Sequence, residues 1–190
     1  AGTRLLVEAS AHDALNEKIA AAMRAIRVGG GTETGTQMGP IISQQQLERV
    51  LSYVEQARAD GAEVITGGNR IERDGWFVEP TLLAGVTPEM SVFRDEIFGP
   101  VLTVSVVEDG AKLDDIAEWA NDSSYGLAAR IWTRDIGKAH GLARRIEAGS
   151  ISVNGGGYGG RMPFGGFKQS GLGREGGYEG MLAFTETKSI

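Results

Sequence analysis

The chain has no cysteine and only two histidines, His12 and His140, far apart in sequence. This excludes a disulfide framework, a zinc-type ligand set and a thiol nucleophile within these 190 residues. The absence of cysteine also fits a cytoplasmic origin. No run of about 18 apolar residues occurs, so nothing reads as a membrane-spanning helix. No basic stripe offsets the net charge of −6, which argues against a nucleic-acid partner. The first residues have neither signal-peptide character nor an initiator Met. What is present is ordinary for a soluble globular protein, 41% hydrophobic and 23% charged. The length allows one well-buried domain, or one with an appendage.

The chain is organised around Asp95-Glu96-Ile97-Phe98-Gly99-Pro100-Val101. A carboxylate and an aromatic ring stand two residues apart, and Gly-Pro then stops any helix. On extended chain that spacing puts both side chains on one face, at the mouth of the strand that follows. A charge beside a flat ring suits a ligand that is part ring and part hydroxylated sugar. Local chemistry alone leaves a second reading open: an ordinary junction with Glu96 solvated and Phe98 in the core.

The rest of the chain alternates. Residues 4–8 read as a strand. Ser10 reads as the N-cap of a helix with Asp13 in its first turn and Leu15, Ile19, Met23 and Ile26 on its apolar stripe. Gly29-Gly30-Gly31 ends it, and a loop anchored by Met38 leads to Pro40. A second helix opens with a Ser43/Gln46 capping box, buries Leu47, Val50, Leu51 and Val54, and closes at Asp60-Gly61. Residues 63–66, 76–78 and 81–86 read as extended. Residues 101–107 are almost continuously apolar, the mark of a strand covered on both faces. A helix at 112–120, a strand at 127–133, a helix capped by Asp135 and a strand at 150–154 complete the alternation. The expectation is an α/β fold, an open and mostly parallel sheet with flanking helices and right-handed crossovers.

Between Gly149 and Gly180 lie 13 of the 29 glycines. Tyr158, Met162, Phe164 and Phe167 are interleaved with them, which favours an ordered loop that bends beside a ligand over a flexible linker. After a short helix at 177–182, the alternating tail 185–190 reads as an exposed strand that needs a pairing partner.

Several stretches, in order, resemble the aldehyde dehydrogenase superfamily. They are Ala1-Gly2-Thr3-Arg4, Gly39-Pro40, Glu96-Ile97-Phe98-Gly99-Pro100-Val101 and Asn121-Asp122-Ser123-Ser124-Tyr125-Gly126-Leu127. Val153-Asn154, Pro163-Phe164-Gly165-Gly166-Phe167-Lys168-Gln169-Ser170-Gly171 and Gly173-Arg174-Glu175 continue the pattern. The resemblance runs from residue 1 to residue 190. It implies residues 1–184 as part of a catalytic α/β domain, with 185–190 the start of an oligomerisation strand.

In that family the nucleophilic cysteine lies two positions before the Ala-Gly-Thr/Ser-Arg segment, so the chain is expected to begin just after it. The dinucleotide-binding part, the general-base glutamate and the oxyanion asparagine are likewise expected upstream. The implied chemistry is attack of a cysteine thiolate on an aldehyde, hydride transfer to NAD or NADP, and hydrolysis of the resulting thioester. Glu96 matches the carboxylate that accepts from the nicotinamide-side ribose, and Phe98 matches the ring beside the nicotinamide. Gln46 resembles a residue near the cofactor in some members, and helix capping explains it equally well. Phe164, with Tyr158 and Arg161, lies where the family lines the aldehyde entrance. Arg161 could pair with a carboxylate-bearing aldehyde or simply be solvated. Lys168 and Arg174 are expected to tie the loop down. Expected partners are a small aldehyde, the upstream part and further copies of the chain. The rivals are a stand-alone module that binds without catalysis and a structural relative. Retention of both Glu96 and Phe98 speaks against the second.

Overall fold

The apolar run at 101–107 becomes the central strand of a four-stranded sheet, covered on both faces as its composition requires. The structure, a computed structural model, describes residues 2–156 and 161–190. Contacts divide the chain into two compact units, Thr3–Ala111 and Lys112–Ile190.

The first unit runs β1 (Arg4–Glu8), α1 (Ala9–Arg24), α2 (Gln44–Ala59), β2 (Glu63–Thr66), β3 (Thr81–Ala84), α3 (Ser91–Arg94) and β4 (Val101–Val107). Its sheet has the order β1-β4-β3-β2, with β4 parallel to both neighbours and β2 antiparallel to β3. Alternate residues divide its faces. Val7, Leu82 and Val104 form one core with Ala20 of α1, and Leu15, Ile19 and Met23 pack against it. The opposite register holds Leu83, Thr103 and Ser105, all buried.

Helix α2 begins as expected, with the Ser43 hydroxyl accepting from Gln46 N–H at 3.2 Å. It buries Leu47, Val50, Val54 and Ala57. At its end Ala62 N–H reaches back to Ala57 O at 2.9 Å, and Gly61 takes the left-handed conformation that this closure needs. The leucine and the two valines each contribute about 1.5–3 kcal/mol when fully buried.

Helix α1 departs from expectation at both ends. Ser10 lies inside it rather than capping it, and its N–H donates to Asp109 Oδ1 at 3.0 Å. A carboxylate 99 residues away therefore satisfies that donor. The helix stops at Arg24, five residues before the triple glycine, and Ile26 lies beyond it. Backbone pairing of Gln37 and Met38 N–H with Arg27 O takes over, and Val28 bridges to Met38.

The second unit comprises α4 (Leu113–Asn121), β5 (Tyr125–Gly126), β6 (Ala128–Ile131), α5 (Ile136–Ala143), β7 (Ser150–Val153), β8 (Phe167–Lys168) and α6 (Gly177–Leu182). Strands β6 and β7 pair in parallel across α5, a βαβ unit. Asp135 caps α5 by accepting from Lys138 N–H at 3.1 Å. The strand expected at 127–133 is shorter and split. Gly126 and Leu127 present carbonyls to Gly149 and Ser150, and β5 turns away to pair antiparallel with β8. Residues 185–190 are exposed and assigned to no strand.

The glycine-rich segment is packed where it is described. A Cβ on Gly149 would stand 1.6 Å from Gly165 O, so backbone meets backbone there and only glycine fits. Arg174 Nη1 donates to the carbonyls of Gly166 at 3.0 Å and Gly173 at 2.7 Å, and its guanidinium lies over the Phe167 ring. Lys168 Nζ donates to the carbonyls of Asn121 at 2.7 Å and Ser123 at 3.1 Å, and pairs with Glu147 at 2.7 Å. The anchoring expected of Lys168 and Arg174 is thus what their side chains do.

Candidate functional site

Two groups of the expected site residues are described, one in each unit.

In the first unit, Glu96 and Phe98 follow the single turn of α3 and precede β4. They are not on extended chain as their spacing predicts, because Phe98 has φ 55, the left-handed region. That conformation costs a non-glycine residue on the order of 1–3 kcal/mol and persists only where neighbours enforce it. The enforcing group is Gln46, whose Nε2 donates to Ile97 O at 2.8 Å and Phe98 O at 3.1 Å. The capping box is therefore half made: Ser43 caps α2, while the Gln46 amide leaves the helix end to clamp the segment.

Gly99 completes the bend. A Cβ there would meet Val50 Cγ2 at 2.5 Å, so the chain lies against the buried face of α2 only because residue 99 has no side chain. The bend leaves Ile97 buried and turns Phe98 outward, with 74% of its surface exposed. The core alternative for Phe98 is thereby overturned. Glu96 is partly exposed, and its carboxylate has no hydrogen-bond partner among the described residues.

Sequence reasoning missed two residues here. Tyr53 donates its hydroxyl to Asp95 Oδ2 at 2.9 Å, and Arg49 Nη2 donates to Glu96 O at 3.4 Å. Their spacing from Gln46 along α2 was the available signal, since i, i+3 and i+7 share one side of a helix.

In the second unit, Phe164 is half-buried and its backbone bonds both ways with Glu175, N–H to O and O to N–H, each at 2.7 Å. Arg161 and Met162 are exposed. Asn154, at φ 52, exchanges two hydrogen bonds with the Thr133 backbone, at 2.9 and 2.8 Å. Tyr158 lies outside the described residues.

A dinucleotide's nicotinamide half carries ribose hydroxyls and a flat ring. The first group fits it: an uncommitted carboxylate meets donors, and an exposed ring on a fixed backbone meets a flat face. Among the described residues no group of three His, Asp or Glu side chains could hold a metal. No helix of the described residues is long and apolar enough to cross a membrane.

The aldehyde dehydrogenase family profile matches residues 1–190. An aspartate-semialdehyde dehydrogenase (non-phosphorylating) of Halomonas elongata is 44% identical over 189 residues, covering 99% of this chain and 38% of that protein. A mitochondrial aldehyde dehydrogenase of Leishmania tarentolae is 42% identical over 191 residues, with 100% and 38% covered. Among solved structures, the NAD+ complex of an aldehyde dehydrogenase from Bacillus cereus superimposes with a TM-score of 0.92 at 39% identity. It is covered over 99% of this chain and 38% of its own. A betaine aldehyde dehydrogenase of Staphylococcus aureus in complex with NAD+ gives 0.88 at 37% identity. The chain spans about 38% of the length of the relatives it matches.

Proposed function

The chain belongs to the aldehyde dehydrogenase family, and from that premise we propose that it forms part of an NAD-dependent enzyme that oxidises an aldehyde to a carboxylate. The observation that carries this is the Glu96–Phe98 bend, with a free carboxylate and an outward ring held on a clamped backbone. Solved relatives in complex with NAD+ support the choice of cofactor. When bound, NAD accepts the hydride that leaves the aldehyde carbon.

The residues of this chain bind and orient. Glu96 accepts hydrogen bonds from the nicotinamide-side ribose, and Phe98 packs beside the nicotinamide. Gln46 serves the same site through the backbone of residues 97 and 98. Phe164, with Tyr158 and Arg161, lines the aldehyde entrance, and the Arg161 guanidinium is suited to a carboxylate on the aldehyde. These 190 residues contain no cysteine, so the thiolate comes from elsewhere in the protein and the isolated chain is inactive. Aldehyde-dependent NADH formation by the pure 190-residue chain would refute that. The protein is a homo-oligomer paired through residues 185–190; removing them lowers the mass seen by light scattering, and an unchanged mass at high dilution opposes the idea.

The deciding experiment is Glu96→Gln in the full-length protein. It keeps the shape, removes the charge and turns one acceptor into a donor. Losing one charge-assisted bond costs about 1.5–3 kcal/mol, roughly a 10- to 150-fold slower hydride step. Ester hydrolysis, which uses the thiolate but transfers no hydride, largely survives. If dehydrogenation and its deuterium isotope effect stay at wild-type values, Glu96 is only a solvated residue.

A further inference from the structure

One side of α2 reaches every residue from 95 to 98. Tyr53 donates its hydroxyl to the Asp95 carboxylate at 2.9 Å. Arg49 Nη2 donates to Glu96 O at 3.4 Å and to the Tyr53 hydroxyl oxygen at 3.3 Å, and its guanidinium lies 5.2 Å from the Tyr53 ring centre. Gln46 takes the carbonyls of Ile97 and Phe98. We propose that Tyr53 and Arg49 are positioning residues which, with Gln46, fix the attitude of Glu96 and Phe98 toward the nicotinamide half of the cofactor; this rests on the reading of Glu96 given above.

Little apolar burial holds the segment. Arg94, Asp95 and Phe98 are exposed, and Ile97 alone is buried. The α3 turn ends at Asp95, which is already extended at φ −90 and ψ 148. Apolar burial therefore fixes one side chain; Asp95 N–H bonds back to Ser91 O at 2.9 Å, and the carbonyls of Glu96, Ile97 and Phe98 take hydrogen bonds from α2. Helix α2 itself is secured independently by Leu47, Val50, Val54 and Ala57. Partly exposed bonds such as Tyr53 to Asp95 add little to global stability. Their effect is local, on where the Glu96 carboxylate and the Phe98 ring stand. A misplacement of about 1 Å at a hydride-transfer site is costly in rate while leaving the fold intact.

The test compares Tyr53→Phe, Arg49→Met and Arg49→Lys with Glu96→Gln in the full-length protein. Three quantities are read: deuterium uptake of a peptide spanning 95–101 in the cofactor-free protein, the hydride step with a deuterated aldehyde, and the melting temperature. Tyr53→Phe and Arg49→Met each raise deuterium uptake in that peptide. Each slows hydride transfer about 3- to 10-fold, enlarges the isotope effect and leaves the melting temperature nearly unchanged. Arg49→Lys restores part of the rate. If Glu96→Gln slows hydride transfer while Tyr53→Phe and Arg49→Met leave uptake and isotope effect at wild-type values, the positioning role is overturned and the Glu96 reading stands. A melting temperature that falls in step with the rate assigns both residues to folding and overturns it as well. If Glu96→Gln has no effect, the reading of the site fails and the positioning role fails with it.

Discussion

Gln46 Nε2 donates to the carbonyl of Phe98 at 3.1 Å, and Phe98 is held there with its backbone in the left-handed region. Among the described residues Asn154 and Lys168 are the other non-glycine positions with positive φ. All three make or receive side-chain hydrogen bonds: Phe98 from Gln46, Asn154 with the Thr133 backbone, Lys168 with the carbonyls of Asn121 and Ser123. Two of them flank or form the candidate sites. Unfavourable backbone is thus concentrated where side chains must be aimed, and contacts distant in sequence offset its cost.

Replacing Phe98 separates aim from stability. The ring is mostly exposed, so its removal loses little burial, and glycine accepts φ 55 without strain. Phe98→Gly is expected to leave stability within about 1 kcal/mol of wild type, or to raise it. If Phe98 serves the proposed role beside the nicotinamide, hydride transfer is expected to fall nonetheless. Urea unfolding of the cofactor-free protein, paired with rate measurements, checks both halves. A large loss of stability would mean that the ring is structural.

Gly149 is the opposite case. Its absent Cβ is occupied at 1.6 Å by the carbonyl oxygen of Gly165, so backbone must move to admit one methyl group. Gly149→Ala is expected to cost about 3 kcal/mol or more and to release the glycine-rich segment to proteolysis. Limited trypsin digestion is the measurement, since Arg161, Lys168 and Arg174 supply cleavage sites in that segment. An unchanged digestion pattern with unchanged stability would show that the segment is not packed this way.

What was legible in the sequence follows from how local its cause is. The run at 101–107 declared a doubly covered strand because burial on both faces removes alternation, and it stands between β1 and β3. The start of α2 was legible because a cap and its donor are three residues apart. The left-handed turn at Phe98 was not. Nothing in a phenylalanine announces positive φ, and the side chain that imposes it lies 52 residues away. The start of α1 failed similarly: Ser10 has the chemistry of a cap, but the relevant acceptor is Asp109. Of the candidate site, the residue types were readable at Glu96, Phe98 and Phe164. Their bearing surfaces, α2 and the Glu175 backbone, became visible only in the fold.

Glu33 ties the loop after α1 to the turn containing Arg73, with Oε1 2.6 Å from Arg73 Nη2. The Arg73 hydrogen bond first, and the Gly30 backbone second, hold the Glu33 carboxyl below its ordinary value of 4.5. A carboxyl lowered in the folded state stabilises that state above its unfolded pKa, and the contribution vanishes as pH falls through the folded value. Glu33→Gln is therefore expected to lower the urea midpoint slightly near neutral pH and to approach wild type as the pH falls through the lowered folded-state value. The pair is exposed, so added salt shrinks the difference. A gap between wild type and variant that stays constant down to acid pH would assign the effect to something other than this carboxylate.

Phe164 offers the cleanest test of substrate choice because its backbone is held without its ring. Both of its backbone groups bond to Glu175 at 2.7 Å, and a substitution at the side chain leaves those bonds intact. Phe164→Ala should therefore keep the chain in place and remove only the aromatic surface. If the ring borders the aldehyde entrance, its loss widens the site, so bulky aldehydes gain relative to short ones. A difference of this kind in an apolar pocket is worth about 1–3 kcal/mol, or roughly 10- to 200-fold in relative kcat/KM. The ring is only half-buried, so the stability change is expected to be smaller than for a core phenylalanine, which loses about 3–5 kcal/mol. Phe164→Leu, which restores bulk without aromaticity, should recover most of the original preference. The measurement is kcat/KM for a short aliphatic, a branched and an aromatic aldehyde in the full-length protein, with the melting temperature of each variant alongside. Equal losses across all three aldehydes, together with a lowered melting temperature, would place the ring in the core and remove it from the entrance.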